Sequence, residues 1–218
     1  MKTFYGRRFS RNRKNQTLDQ NLVIESYVTE KNIKKKIRNF SKVFKCINLE
    51  IGFGNGDNLI NLAVNNPDIG FVGCDPFCSG NVITLKKISS MSLTNILISN
   101  LDFHQFFKYL HNVKYDNIFV LFPDPWPKRK HVKRRLVNGE FYKMIKTVIK
   151  NKGQIFLKSD NIDYISEMVS LFLSDGKFSM VRTFLKKQNF FPLKYTKYAI
   201  KAVKNHNFPH LIVFQYVI

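Results

Sequence analysis

Apolar and polar positions follow two rhythms along this chain. From residue 46 onward, short β-branched or aromatic runs are each followed by a longer stretch whose apolar residues fall three or four apart. A short apolar run bounded by turn residues reads as a buried strand, and the longer period as a helix laid against it. The runs are CINLEI (46–51), GFVGC (70–74), NILIS (95–99), NIFVLF (117–122), GQIFLKS (153–159) and HLIVFQYV (210–217), with a further candidate near SMVRTFL. Helices are expected over 58–64, 82–89, 105–111, 140–150 and 163–173. In GEFYKMIKTVIK, the stripe Phe141, Met144, Ile145, Val148 and Ile149 marks one buried helix face. The order predicts an α/β, Rossmann-like fold of five or six strand–helix units with a hairpin-like C-terminus. Its sheet should be mostly parallel and seven-stranded, with helices on both faces.

No repeat or Pro/Gly/Ser linker interrupts this pattern, so residues 21–218 are expected to form a single domain. Residues 1–20 differ: Lys2, Arg7, Arg8, Arg11, Arg13 and Lys14 precede the first acid, Asp19, with little apolar periodicity. They read as a flexible basic arm. Charge sharpens the picture. Thirty-six Lys and Arg against fifteen Asp and Glu give a formal charge of +21, more than solubility requires, and point to a polyanionic partner.

Cys46, Cys74 and Cys78 lack a further Cys or His pair at zinc spacing, and the five histidines show none, so no metal is expected and the thiols should be reduced. No run of about 18 apolar residues is present. A soluble cytoplasmic protein, monomeric or homodimeric, follows.

In open α/β sheets, ligands lie beyond the C-terminal ends of the strands. After the first strand comes LEIGFGNGDN, with Gly52, Gly54 and Gly56. The spacing is GxGxG, and Asp57 fills the slot where a dinucleotide fingerprint needs its last glycine. Asp75, at the tip of the second strand, can accept both hydroxyls of a ribose. Asp102 or Asn100, after the third, can accept from an adenine amino group, and Glu50 can counter a cationic methionine moiety. The set favours an adenosine ligand without phosphates, S-adenosylmethionine. Each acid has an alternative role as a helix N-cap.

After the fourth strand, VLFPDPWPKRKHVKRR joins one acid, Asp124, to the only tryptophan, Trp126, and to the cations Lys128, Arg129, Lys130, Lys133, Arg134 and Arg135. Pro123, Pro125 and Pro127 stiffen the loop and pre-aim its side chains. Trp126 offers a face for a base, Asp124 a carboxylate for the base's N–H groups, and the cations a grip on phosphates. The spacing leaves open whether a ring nitrogen or an exocyclic amine is methylated, or whether the fold serves as a non-catalytic RNA-binding protein.

The segments LEIGFGNGDNLINLAVNNPDIGFVGCD, FPDPWPKRKHVKRR, FLKSDNIDY and TKY, in this order, closely resemble bacterial tRNA (guanine-N7-)-methyltransferases, and FYGRRFSRNRKNQ is similar to that family's N-terminal arm. The resemblance implies a class I methyltransferase fold, cofactor contacts at Glu50, Asp75 and Asp102, and a catalytic-site acid at Asp124. It implies tRNA or guanine contacts at Lys128, Asp160 and the segment Thr196, Lys197, Tyr198, with the guanine at position 46 of the variable loop as target. Two departures stand out. Asp75 replaces the family's usual glutamate, and Ala199 replaces the acid that usually follows the TKY element.

Overall fold

The computed structural model describes residues 5, 6, 8, 25–110, 113–184 and 208–218, with side chains left out at 182–184. The chain divides into two compact units, Met1–Val113 and Lys114–Ile218. Most of the basic arm and the whole of Thr196, Lys197, Tyr198 and Ala199 lie outside the described residues.

The first unit contains α1 (Ile33–Val43), β1 (Ile47–Ile51), α2 (Asp57–Asn65), β2 (Gly70–Cys74), α3 (Cys78–Ser90), β3 (Ile96–Ser99) and α4 (Phe103–Phe107). β2 lies between β1 and β3 and pairs with both in parallel. Every residue of the three strands is buried, which is why they read as continuous apolar runs rather than alternating ones. The outer edge of β3 is covered by the segment before α1, where Val28 N–H donates to the Ile98 carbonyl and Ile98 N–H to that of Ser26. At the opposite end of the strands, the buried Asn95 amide donates to the carbonyls of Ala63, Asn66 and Ile69 at 3.0 Å each, tying the end of α2 to the start of β2.

The second unit holds β4 (Tyr115–Leu121), a 3-10 helix (Arg129–Arg134), α5 (Gly139–Val148), β5 (Ile149–Ser159), α6 (Ile162–Leu173), β6 (Phe178–Phe184) and β7 (His210–Tyr216). β4 and β5 are parallel, whereas β7 runs antiparallel to both β5 and β6. The sheet is therefore mixed, its departure from the parallel pattern confined to the C-terminal pair. Asn138 and Asn161 cap α5 and α6 by accepting from backbone N–H groups of their first turns. Tyr142, Phe172, Phe178 and Phe214 pack α5 and α6 against β6 and β7.

Candidate active site

In the first unit, the turn from β1 into α2 is built from three glycines in left-handed conformation, with φ of 80° at Gly52, 58° at Gly54 and 72° at Gly56. A side chain at Gly52 or Gly54 would meet nothing within 4 Å, so the turn leaves open space beside its backbone. Gly56 differs: a Cβ there would stand 2.5 Å from Thr84 Oγ1, so this glycine is required by packing against α3. Lys87 of α3 closes the far side, pairing with Asp57 at 2.6 Å and donating to the Asn55 carbonyl. Asp57 thus belongs to an ion pair at the start of α2.

Asp75 staples this turn to the end of β2. Its carboxylate accepts from Gly54 N–H at 2.6 Å and from Phe77 N–H at 2.7 Å, and its carbonyl accepts from the buried Asn81 amide. Asp102 is the N-cap of α4, accepting from Gln105 N–H in a capping box while Gln105 reaches back to its N–H. The cap reading of this acid is therefore realised, and the carboxylate sits buried after β3.

Glu50 is the electrostatic anomaly of the unit. It is 3% exposed, accepts from Asn58 Nδ2 at 2.9 Å, and has no cation beside it among the described residues. Burial, reinforced by Asp75 and Asp57 and opposed by the Asn58 bond, pushes its pKa up to about 8. A buried acid that lacks its counter-charge, next to an open glycine turn, fits a cationic ligand. The Asn58 Oδ1 atom is buried without a partner beside it, a second acceptor in the same place.

Sequence reasoning missed Asn58, Asn81 and Gly80. Gly80 sits in the first turn of α3, where a Cβ would lie 2.0 Å from the Gly54 carbonyl oxygen. The signal was the run of small residues in CSGN, obscured because glycine is a poor helix former. Gly80→Ala should push α3 off the glycine turn and cost about 1–3 kcal/mol. Thermal denaturation checks this: wild type should gain stability with added S-adenosylmethionine, and the variant should gain much less.

In the second unit, the loop after β4 carries two non-glycine residues in left-handed conformation, Phe122 (φ 54°) and Trp126 (φ 41°). Such residues persist only where their surroundings hold them. Phe122 N–H donates to the Lys158 carbonyl at 2.7 Å, carrying the β4–β5 ladder one residue past the strand, and Lys158 Nζ lies 5.5 Å from the Phe122 ring. Burial lowers the Lys158 pKa. Lys158 is a further polar group at this loop that the sequence reading passed over.

Asp124 projects from the middle of the loop. Its side chain is open to solvent, yet the protein around it removes enough water to raise its pKa above the usual carboxylate range. Arg134 stands over the Trp126 indole at 5.0 Å, and His131 meets its edge at 5.7 Å. One side of the indole is thus already occupied. Desolvation, then the charges of Arg134, Lys130 and Lys128, lower the His131 pKa.

The basic ladder divides. Lys128, Arg129, Lys130 and Lys133 are exposed on the 3-10 helix and its N-terminal flank. Arg135, grouped by sequence with the phosphate-gripping residues, is 5% exposed and spent internally. Its Nε donates to the Pro125 carbonyl at 2.8 Å, its guanidinium pairs with Glu167 and lies 4.7 Å from the Tyr164 ring. It pins the proline loop through the Pro125 carbonyl, with its buried charge offset by Glu167. Asp160 is half-buried at the bend after β5.

The chain is a class I S-adenosylmethionine-dependent methyltransferase, and solved structures agree on the fold. The 16S rRNA methyltransferase KamB superposes with a TM-score of 0.62 over 84% of this chain and 94% of that one at 12% identity. An antibiotic-related methyltransferase gives 0.60 over 85% and 94% at 18% identity. Residues 44–209 match a family described as putative methyltransferase. The tRNA (guanine-N(7)-)-methyltransferase of Wolbachia pipientis wMel is 34% identical over 187 residues, 86% of this chain and 82% of that protein. The chain belongs to the tRNA (guanine-N(7)-)-methyltransferase family. A bifunctional methyltransferase of Rickettsia felis is 35% identical over 207 residues, of which this chain spans 92% of itself but 37% of the relative.

Proposed function

We propose that this protein transfers a methyl group from S-adenosylmethionine to N7 of a guanine in tRNA, at position 46 of the variable loop. The observation that carries the cofactor half of this reading is Glu50, a buried acid short of a cation beside a glycine turn with open space over Gly52 and Gly54. Glu50 would hold the cationic methionine end, Gly52, Gly54 and Gly56 shape the turn, Asp75 receive the ribose hydroxyls, and Asp102 receive the adenine amino group. When bound, S-adenosylmethionine supplies an electrophilic methyl carbon on a positively charged sulfur.

Guanine N7 carries its own lone pair, so no residue has to remove a proton from it. The work left to Asp124 is to accept from the base's N–H groups and to offset the positive charge that the ring acquires. The strained, proline-flanked loop, pinned at the Pro125 carbonyl by Arg135, fixes that carboxylate before the substrate arrives. Exposed Lys128 and Lys133 and the half-buried Arg134 take phosphates, Trp126 contributes its remaining face to a base, and Asp160 and Thr196–Tyr198 complete the contacts to tRNA. The protein works in the cytoplasm, as a monomer or homodimer. No described helix is long and apolar enough to cross a membrane.

Calorimetric titration tests the catalytic reading against a purely RNA-binding one. S-adenosylmethionine should bind at micromolar concentrations without RNA. No heat at millimolar concentration, with tRNA still bound, would leave the fold as an RNA-binding protein and overturn the proposal.

A further inference from the structure

The reaction loop does not use the most lopsided surface of the first unit. Helix α1, IKKKIRNFSKV, buries Ile33, Ile37 and Phe40 on one face and contains no acid. At about 100° per residue, Lys35, Arg38 and Lys42, together with Lys31 just before the helix, fall on the opposite face, and Lys34 on its flank. All five are exposed. None of them forms an ion pair or side-chain hydrogen bond among the described residues.

Lys36, by contrast, is turned inward. Its Nζ donates to the carbonyls of Glu25 and Tyr27, so the helix has already supplied the one cation its own packing uses.

This arrangement opposes the helix's own stability. Lys34 and Arg38, and Arg38 and Lys42, are like charges at i, i+4, each pair unfavourable by about 0.2–0.5 kcal/mol. Lys34 and Lys35 also lie in the first turn, where the helix dipole favours acids. Asn32, at the N-cap, makes no side-chain cap bond to relieve it. A polyanion removes both penalties at once. From Lys31 to Lys42 the face is about 16 Å long, enough to meet two or three successive phosphates of one strand.

We infer that the outer face of α1 is a second tRNA-docking surface, binding the phosphate backbone without reading bases and separate from the cations of the reaction loop. It rests on the reading of tRNA as substrate, and the experiment keeps the two apart. The quadruple variant K34Q/K35Q/R38Q/K42Q is compared with K86Q/K108Q/K143Q/K177Q, which removes the same charge from exposed lysines elsewhere. Methyl transfer to tRNA and filter binding are followed over a salt series.

The α1 variant should raise KM for tRNA about 10-fold, leave kcat at saturation unchanged, and lower the slope of log affinity against log salt by about 2–3. Its thermal midpoint should hold or rise, since repulsion is removed. The control variant should change KM and slope by much less. Equal losses in the two variants would make the effect one of net charge, and an unchanged KM and slope in the α1 variant would remove the surface; either result overturns the inference. In both of those cases wild-type methylation of tRNA guanine would still stand. Absent methylation by wild type alongside a weakened α1 variant in filter binding would sink the substrate reading but support the surface.

Discussion

Asp124→Ala is expected to lower kcat for methyl transfer by about 10²-fold to 10³-fold, or about 2.7–4 kcal/mol of transition-state stabilisation, with tRNA affinity nearly unchanged. The carboxylate is exposed and makes no hydrogen bond or ion pair among the described residues, and the loop's shape is held instead by Phe122, Trp126 and Arg135. Removing it should therefore leave the fold intact. Single-turnover rates and filter binding separate the two effects. A variant with near wild-type kcat would remove Asp124 from the chemistry. The wild-type pH profile carries the same signature. Because its surroundings raise the Asp124 pKa from 3.8, the acid limb of kcat should lie above that value as the carboxylate is protonated, and Asp124→Asn should lose that limb.

Glu50→Gln should act in opposite directions on binding and on stability. The folded protein holds the Glu50 proton up to about pH 8, whereas the unfolded chain releases it near 4.5. Its pKa is raised on folding, so the associated stability is fully present below 4.5 and is lost as pH rises through about 8. Glutamine never ionises. The cofactor-free variant should match wild type near pH 4.5 and exceed it at pH 8, by on the order of a few kcal/mol.

Cofactor binding should move the other way. A cationic methionine group draws Glu50 into its ionised form, so wild type should release a proton on binding and bind more tightly as pH rises toward 8. The variant should lose about 2–5 kcal/mol of affinity, the usual cost of removing one partner from a buried charge pair, and release no proton. Calorimetry in two buffers of different ionisation heat reads both. Equal proton release by wild type and variant would contradict the assignment.

Much of this was legible in the sequence, for reasons that differ by element. β2 was read at its observed bounds because glycine and cysteine flank a fully buried run. β5 begins four residues earlier than expected, at Ile149, since Val148 and Ile149 suit a helix stripe and a strand equally. α1 was missed: its five cations drown the stripe of Ile33, Ile37 and Phe40. At the site, the glycines and acids stood out by spacing. The structural duty of Arg135 was invisible, because a buried arginine and a phosphate-gripping one look alike in a run of cations. Asp75 carries a structural duty that spacing did not show: its carboxylate reaches back to accept from Gly54 N–H.

The central claim is tested most directly by incubating the protein with methyl-labelled S-adenosylmethionine and unmodified tRNA, then digesting the RNA and identifying the labelled nucleoside and its position. The account predicts 7-methylguanosine, recognised by its alkali-labile ring, at a single site in the variable loop. Label in an exocyclic amine of a base, or no label in RNA from a protein that binds the cofactor, would contradict it.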